Sequence, residues 1–386
     1  MVLPVRRDRV ARAVALAVAA VVFLGCWEVL HHWFYSRHQI VDTPIYEGYG
    51  QAMRHGLLPY RDIPVEYPPG ALPVFEAPTY VDGYDETFGW LMAALGVGCI
   101  AFVAAAGASA ASLAAIAVSP LLIGSIALSR YDFWPAMLVA GAVASFLHDR
   151  HRIGWAALAA AIAAKLFAAV LVPVALVWTL RRRGVREMLV GAGAAIGVVA
   201  AAALPFAVLA PAGLWHSLSG QLSRPLQVES LGASVLTTFG RPTVIATHGS
   251  LNLAGQGAVA TASTVVELTV ILVLWVAFAR GAATPERFLR YCAACVCAFV
   301  AFGKVLSPQF LIWLVPLVPL VRGRRGVAAA VLLATALVMT QVYFPARYFR
   351  YIFHLQLAWL VLARNLVLVA LLATLSLSPR GWRRSS

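Results

Sequence analysis

The residues able to do chemistry are unevenly placed along this chain. Eight of its 16 acidic residues lie between Asp42 and Glu86, in and just after the polar, proline-closed stretch DTPIYEGYGQAMRHGLLPYRDIPVEYPPGALP. The cations are spread differently. Lys165 and Lys304 are the only lysines, each inside an apolar run, and every other basic residue is arginine. A carboxylate that accepts a proton from a hydroxyl typically contributes 10²–10⁴ in rate. Cations aimed at a departing phosphate stabilise the negative charge that develops there, and both lysine and arginine bind phosphate well. Acids in one loop and cations in later ones therefore suit transfer of a group from a phosphate to an acceptor hydroxyl. The polar groups available for such a site are Asp42, Glu47, Arg54, His55, Arg61, Asp62, Glu66, Arg130, Asp132, Lys165, His216, Arg224, Gln227, Glu229, Arg241, His248, Lys304, Gln309, Arg347 and Arg350.

The elements that must position these groups are membrane helices. The chain is 61% hydrophobic and 12% charged, with a mean hydropathy of +0.82. Its apolar runs are about 20 residues long, the length that crosses a ~30 Å hydrocarbon core. Period-2 alternation is missing, so helices are the way to satisfy backbone hydrogen bonds in lipid. The predicted class is all-α and polytopic. The net charge of +14 does not point to nucleic acid, because 19 of the 30 basic residues fall in six short clusters between apolar runs, the pattern of cytoplasmic turns. The five cysteines lie within apolar runs without polar partners and read as core.

Charge and parity give about twelve apolar segments with both termini cytoplasmic. The stretch 153–180 lies between two arginine clusters that belong on the same side, so it is expected to form two short helices with an apex at Lys165. The same argument puts an apex at Lys304, between Arg290 and Arg322. Ionisable residues within membrane segments are costly enough that function is their default reading. Residues 1–386 are read as one transmembrane domain, with an outer loop at 32–86, a second at 209–257 and a cytoplasmic tail at 378–386. Simpler roles exist for individual groups. Asp42 suits a helix cap, the segment Glu66-Tyr67-Pro68-Pro69-Gly70 a rigid turn, and the two lysines interfacial snorkelling.

Six stretches in order, GLLPYRDIPVEYPPGALPVF, RYDFWPAML, AAKLFAAVLVP, RPLQVESLGAS, GKVLSPQFLIWLVPL and LARNLVLV, together with the acid after the first span, resemble the membrane glycosyltransferases of family 87. The resemblance covers about residues 40 to 370. It implies a GT-C fold in the plasma or inner membrane, an extracytoplasmic active site, a polyprenyl-phosphate sugar donor and a glycolipid or glycan acceptor. Transfer would be inverting and the sugar a hexose, mannose foremost, with arabinose as the other choice. On this resemblance Asp42 is the general base, with Asp62 as the reserve candidate. Asp62, Glu66 and Tyr67 shape the acceptor site, Arg130 and Asp132 stand at the cavity rim, and Lys165, Arg224, Lys304 and Gln309 surround the donor phosphate, with Glu229 also binding substrate. Many GT-C enzymes carry paired acids in the first loop, whereas Thr43 follows Asp42 here. Metal-independent, cofactor-free transfer is the corresponding expectation. The rival classes are a transporter or lipid flippase, for which midplane polar residues and clear repeats are wanting, and a non-catalytic subunit of an envelope assembly.

Overall fold

A computed structural model describes residues 3–34 and 40–377. The expected tail at 378–386 lies outside the described residues, as do 35–39 of the first outer loop. The fold is an all-helical membrane bundle with one small hairpin added. Its helices are α1 (Leu3–Val29), α2 (Thr43–Arg54), α3 (Leu72–Glu76), α4 (Tyr84–Ala105), α5 (Ala110–Ala117), α6 (Ser119–Ile123), α7 (Ile126–Ser129), α8 (Phe133–Leu147), α9 (His151–Ala164), α10 (Val172–Leu209), α11 (Pro211–Leu222) and α12 (Leu231–Phe239). An antiparallel pair follows, β1 (Val244–Thr247) and β2 (Ser250–Leu253), with Val244 opposite Leu253. The chain ends with α13 (Gly257–Arg280), α14 (Pro285–Phe302), α15 (Gly323–Tyr343), α16 (Tyr348–His354) and α17 (Ala358–Ser376).

Among the described residues six helical stretches are long and apolar enough to cross a membrane, with shorter apolar segments at Phe133–Leu147 and Pro308–Leu320. The count falls below the dozen crossings expected in part because Leu166–Leu209 enters it once, although α10 is two helices meeting at a kink at Gly184 (φ 84°, ψ 177°), and the other reasons are local. The run expected as one span over 111–129 is broken into α5, α6 and α7, because Pro120 stands at the start of α6 and Gly124 ends it with a φ of 73°. The runs around the lysines are interrupted as well. α9 stops at Ala164, Lys165 is extended (φ −162°), and a 3₁₀ segment at Leu166–Leu171 leads into α10. α14 stops at Gly303, and a second 3₁₀ segment occupies Pro308–Leu314 beyond Lys304. Helix starts follow ordinary chemistry: Ser230 caps α12 through the Ala233 N–H, and Thr284 caps α14 through the Arg287 N–H ahead of Pro285.

The two ends of the bundle differ in charge. α8 and α9 pack antiparallel, so Asp132 and Lys165 meet at one end while Asp149, His151 and Arg152 lie at the other. The latter end also gathers Arg182 on Asp149, Arg152 on Glu187, Arg181 on the Ala279 and Gly281 carbonyls, and Arg322 on the Gly107 carbonyl.

The polar stretch that follows α1 is fastened to the helix end that carries Lys165. Tyr46 of α2 stacks on Phe75 with ring centroids 4.4 Å apart, and Tyr67 and Tyr131 meet the same pair edge-on. The loop's Glu66–Gly70 turn reaches α9 at Gly70, where a Cβ would lie 2.5 Å from the Ala163 carbonyl carbon. Trp134 donates to the Gly70 carbonyl at 3.0 Å from the other side. Gly70→Ala therefore forces the loop off α9, an overpacking that costs about 1–3 kcal/mol. It should lower the Tm of purified protein in detergent by several degrees, whereas Gly220→Ala, where a Cβ meets nothing within 4 Å, should not.

Candidate active site

Asp42 occupies the N-cap of α2, yet its side chain makes no cap hydrogen bond. The main chain does that work: the Asp42 carbonyl accepts from the Ile45 and Tyr46 amides. Its carboxylate is left to pair with Arg130, a side chain only 6% exposed, and to accept weakly from Tyr46 Oη at 3.4 Å. Arg130 is held by α7, which it follows directly, and also donates to the Ile40 carbonyl at 3.1 Å.

Two residues on, Asp132 sits at the N-cap of α8 and likewise points elsewhere. Its Oδ1 accepts from Lys165 Nζ at 2.6 Å and from Trp313 Nε1 at 2.7 Å. The lysine ammonium also lies over the rings of Tyr131, Trp313 and Phe310, 4.5, 5.2 and 5.4 Å from their centroids. Trp313 is stacked between Phe167 and Phe310 at 3.8 and 4.2 Å, so its indole N–H is aimed by packing. Neither lysine is snorkelling freely. Lys304 Nζ donates to the Leu222 carbonyl at 2.8 Å, and its own carbonyl accepts from the Gln227 amide at 2.9 Å.

These groups open onto one cavity of about 690 Å³. Of the eleven residues singled out in the sequence, nine line it: Asp42, Glu66, Tyr67, Arg130, Lys165, Arg224, Glu229, Lys304 and Gln309. Two do not. Asp132 was expected at the rim but is fully buried behind the wall, where the ion pair with Lys165 holds it. Asp62 was expected at the acceptor site but lies exposed on the loop. It is bound by its neighbour Arg61 through two 2.9 Å contacts and by the Leu58 amide at 2.8 Å. The hydrogen bond from Arg61 holds its carboxyl down at about 2.

The remaining wall comes from the 209–257 segment, which is folded into α11, α12 and the hairpin. Arg224 donates to the His248 carbonyl at 3.3 Å, and Gln221 to the Glu66 carbonyl at 2.8 Å. The Glu66 carboxylate reaches the hairpin tip, where a Cβ on Gly249 would lie 2.6 Å from Oε2. Glu229 directly precedes the α12 cap. Its Oε1 accepts from Tyr343 Oη at 2.6 Å, and its carbonyl accepts from Arg364 and Asn365, both at 3.1 Å. Among the described residues no group of three or more His, Cys, Asp and Glu side chains is arranged to hold a metal ion.

Sequence reasoning missed Gln221, Ser307 and Glu267 in this wall. Glu267 had a signal: it is the lone acid of the apolar run 257–280, and an intramembrane carboxylate is a functional candidate by default. Gln221 and Ser307 had none, being ordinary polar residues whose place depends on how distant segments meet.

The arrangement offers a carboxylate beside a buried guanidinium, several cations, and an apolar wall formed by Leu268, Phe299, Phe310, Phe344 and Phe349. That combination fits a substrate with a phosphate and a long apolar part. No curated protein matches the chain. Among solved structures it is similar to the crystal structure of ArnT from Cupriavidus metallidurans bound to undecaprenyl phosphate, with a TM-score of 0.51 and 16% identity over 94% of this chain and 76% of that one. At that identity the likeness speaks for the fold, which is GT-C. The model of glycosyltransferase family 87 matches residues 66–308, from Glu66 through Lys304 and beyond, and over that share of its length the chain belongs to glycosyltransferase family 87.

Proposed function

We propose that this membrane glycosyltransferase moves a hexosyl group, mannosyl foremost, from a polyprenyl-phosphate sugar to a glycolipid or glycan acceptor on the extracytoplasmic face, with Asp42 as general base. The observation that carries the reading is the cavity itself, which brings Asp42, Arg130, Lys165, Arg224 and Lys304 together beside an apolar wall. The likeness to ArnT, whose structure holds undecaprenyl phosphate, supports a lipid-linked donor. Charge supports this sidedness. The basic helix ends lie at the end of the bundle away from the cavity, and basic turns stay cytoplasmic.

The reaction is a direct displacement. An acceptor hydroxyl gives its proton to Asp42, and its oxygen forms a bond to the anomeric carbon. The bond from that carbon to the phosphate oxygen breaks, the electron pair leaves with the phosphate, and the configuration inverts. Of the four cations, Arg130 and Lys165 are in contact with Asp42 and Asp132. Arg224 and Lys304 donate to main-chain carbonyls instead, so their charge is the more available to a phosphate. The leaving phosphate is therefore assigned to these two. The Arg130 pair orients Asp42, and Glu66 and Tyr67, which line the same cavity, are assigned to the acceptor.

Purified protein given labelled polyprenyl-phosphate mannose and a membrane glycolipid extract should transfer the sugar. Asp42→Asn should lower kcat by about 10²–10⁴ while binding undecaprenyl phosphate normally. Transfer within a few-fold of wild type by that variant would remove Asp42 from the mechanism.

Glu229 is the competing carboxylate, since burial pushes its carboxyl up to about 7. A group raised in this way is protonated below pH 7, so a base at Glu229 would lose activity as pH falls through 7. Glu229→Gln is expected to raise the KM for acceptor and to leave the acid side of the kcat profile where it is. An acid limb near pH 7 in the wild type that vanishes in Glu229→Gln would move the base to Glu229.

A further inference from the structure

Glu267 is the one acidic residue of α13. Ten residues into that helix, it lies about 15 Å from its start at 1.5 Å per residue. Its neighbours Val265 and Val266 are 57 and 43% exposed, as on a helix face turned to lipid, while Glu267, like Leu268 after it, lines the cavity. Among the described residues its carboxylate makes no hydrogen bond and no contact ion pair. It abuts Gly303, where a Cβ would come within 3.6 Å of Oε2. The next residue is Lys304, to which it is electrostatically coupled. The lysine spends its contact on the Leu222 carbonyl instead. A carboxylate kept for stability alone would be expected to touch its cation. This one stands at the same end of the cavity as Lys304 without doing so, where an ionisable group is costly to place.

We propose that Glu267 is a specificity-determining residue that lets the phosphate subsite at Lys304 accept a lipid phosphodiester while weakening its hold on the phosphomonoester released by transfer. This rests on the donor reading given above. The donor phosphodiester carries one negative charge. Cleavage of the bond to the anomeric carbon leaves a phosphomonoester that approaches two at neutral pH, its second ionisation lying near 6. Lys304 and Arg224 alone would bind the more charged product more tightly than the donor, and turnover would stall on release. A nearby carboxylate repels a ligand in proportion to that ligand's charge, so it penalises the product about twice as much. Glu267 thereby offsets the attraction that the two cations would otherwise exert on the product.

The test measures equilibrium binding of two probes, undecaprenyl phosphate and its methyl diester, to full-length protein in detergent. Wild type should hold the two with affinities within a few-fold of one another. Glu267→Gln should tighten the monoester by about tenfold and the diester clearly less, with kcat falling through product inhibition. Glu267→Asp, which keeps the charge, should restore the wild-type ratio, and Lys304→Gln should weaken both lipids. An unchanged monoester-to-diester ratio in folded Glu267→Gln protein overturns the proposal, as does a parallel loss of both. Wild-type protein that binds neither lipid overturns the donor reading, and the proposal with it.

Discussion

A fully buried carboxylate ties together the cavity end of this molecule. Asp132 begins α8, and its Oδ1 joins the Lys165 ammonium at the break after α9 to the indole of Trp313 in the 308–314 segment. Three stretches more than 30 residues apart in sequence thereby meet at one oxygen. Taking both charges out of water costs several kcal/mol per ion, and mutual attraction offsets this only when the geometry is good and the remaining sites are hydrogen-bonded. The indole bond and the three rings over the ammonium supply part of that compensation, while among the described residues Asp132 Oδ2 has no hydrogen-bond partner. Loss of one partner would leave the other buried and uncompensated, an effect on the order of 3–5 kcal/mol. The break at Lys165 is thus held by tertiary contacts, since nothing in the alanine-rich run before it would stop a helix.

From that anchor the cavity shows a graded pairing of charge. Arg130 with Asp42 and Lys165 with Asp132 are contact pairs, whereas Arg224 with Glu66 and Lys304 with Glu267 are coupled only through space. Contact pairs hold their geometry whether or not a substrate is near. Cations whose contacts are to carbonyls keep more of their charge for a ligand. On the proposed reading, a phosphate site and a proton-accepting site can therefore share one cavity without the cations capturing every acid.

Ahead of α12, the cavity wall is fixed by the chain itself. The segment Gln227–Ser230 is tied to Lys304 through the Gln227 amide, to the hairpin through Val228 and Leu251, to α16 through Tyr351 Oη on the Val228 carbonyl, and to α15 and α17 through Tyr343, Arg364 and Asn365. Arg364 and Asn365 are fully buried polar residues in the last span, and their shared acceptor is the Glu229 carbonyl. Their place in a motif far from the acidic loop follows from that contact. They fix the backbone from which Glu229 projects.

The sequence by itself determined the membrane class, the helical nature of the spans and most of the site's residue types. Those depend on apolar run length and on the cost of placing ionisable groups in lipid, both local properties of the chain. The two lysines and the acid after the first span stood out for the same reason. Tertiary structure decided which acids face the cavity and which do not. Asp62 and Asp132 resemble Asp42 in sequence setting, yet one is captured by Arg61 on the surface and the other by Lys165 in the interior. It also decided that the 209–257 segment folds into helices and a hairpin against Glu66, and that Glu267 comes to rest beside Lys304. Such outcomes turn on which distant side chains meet, and a single chain's local pattern carries no term for that.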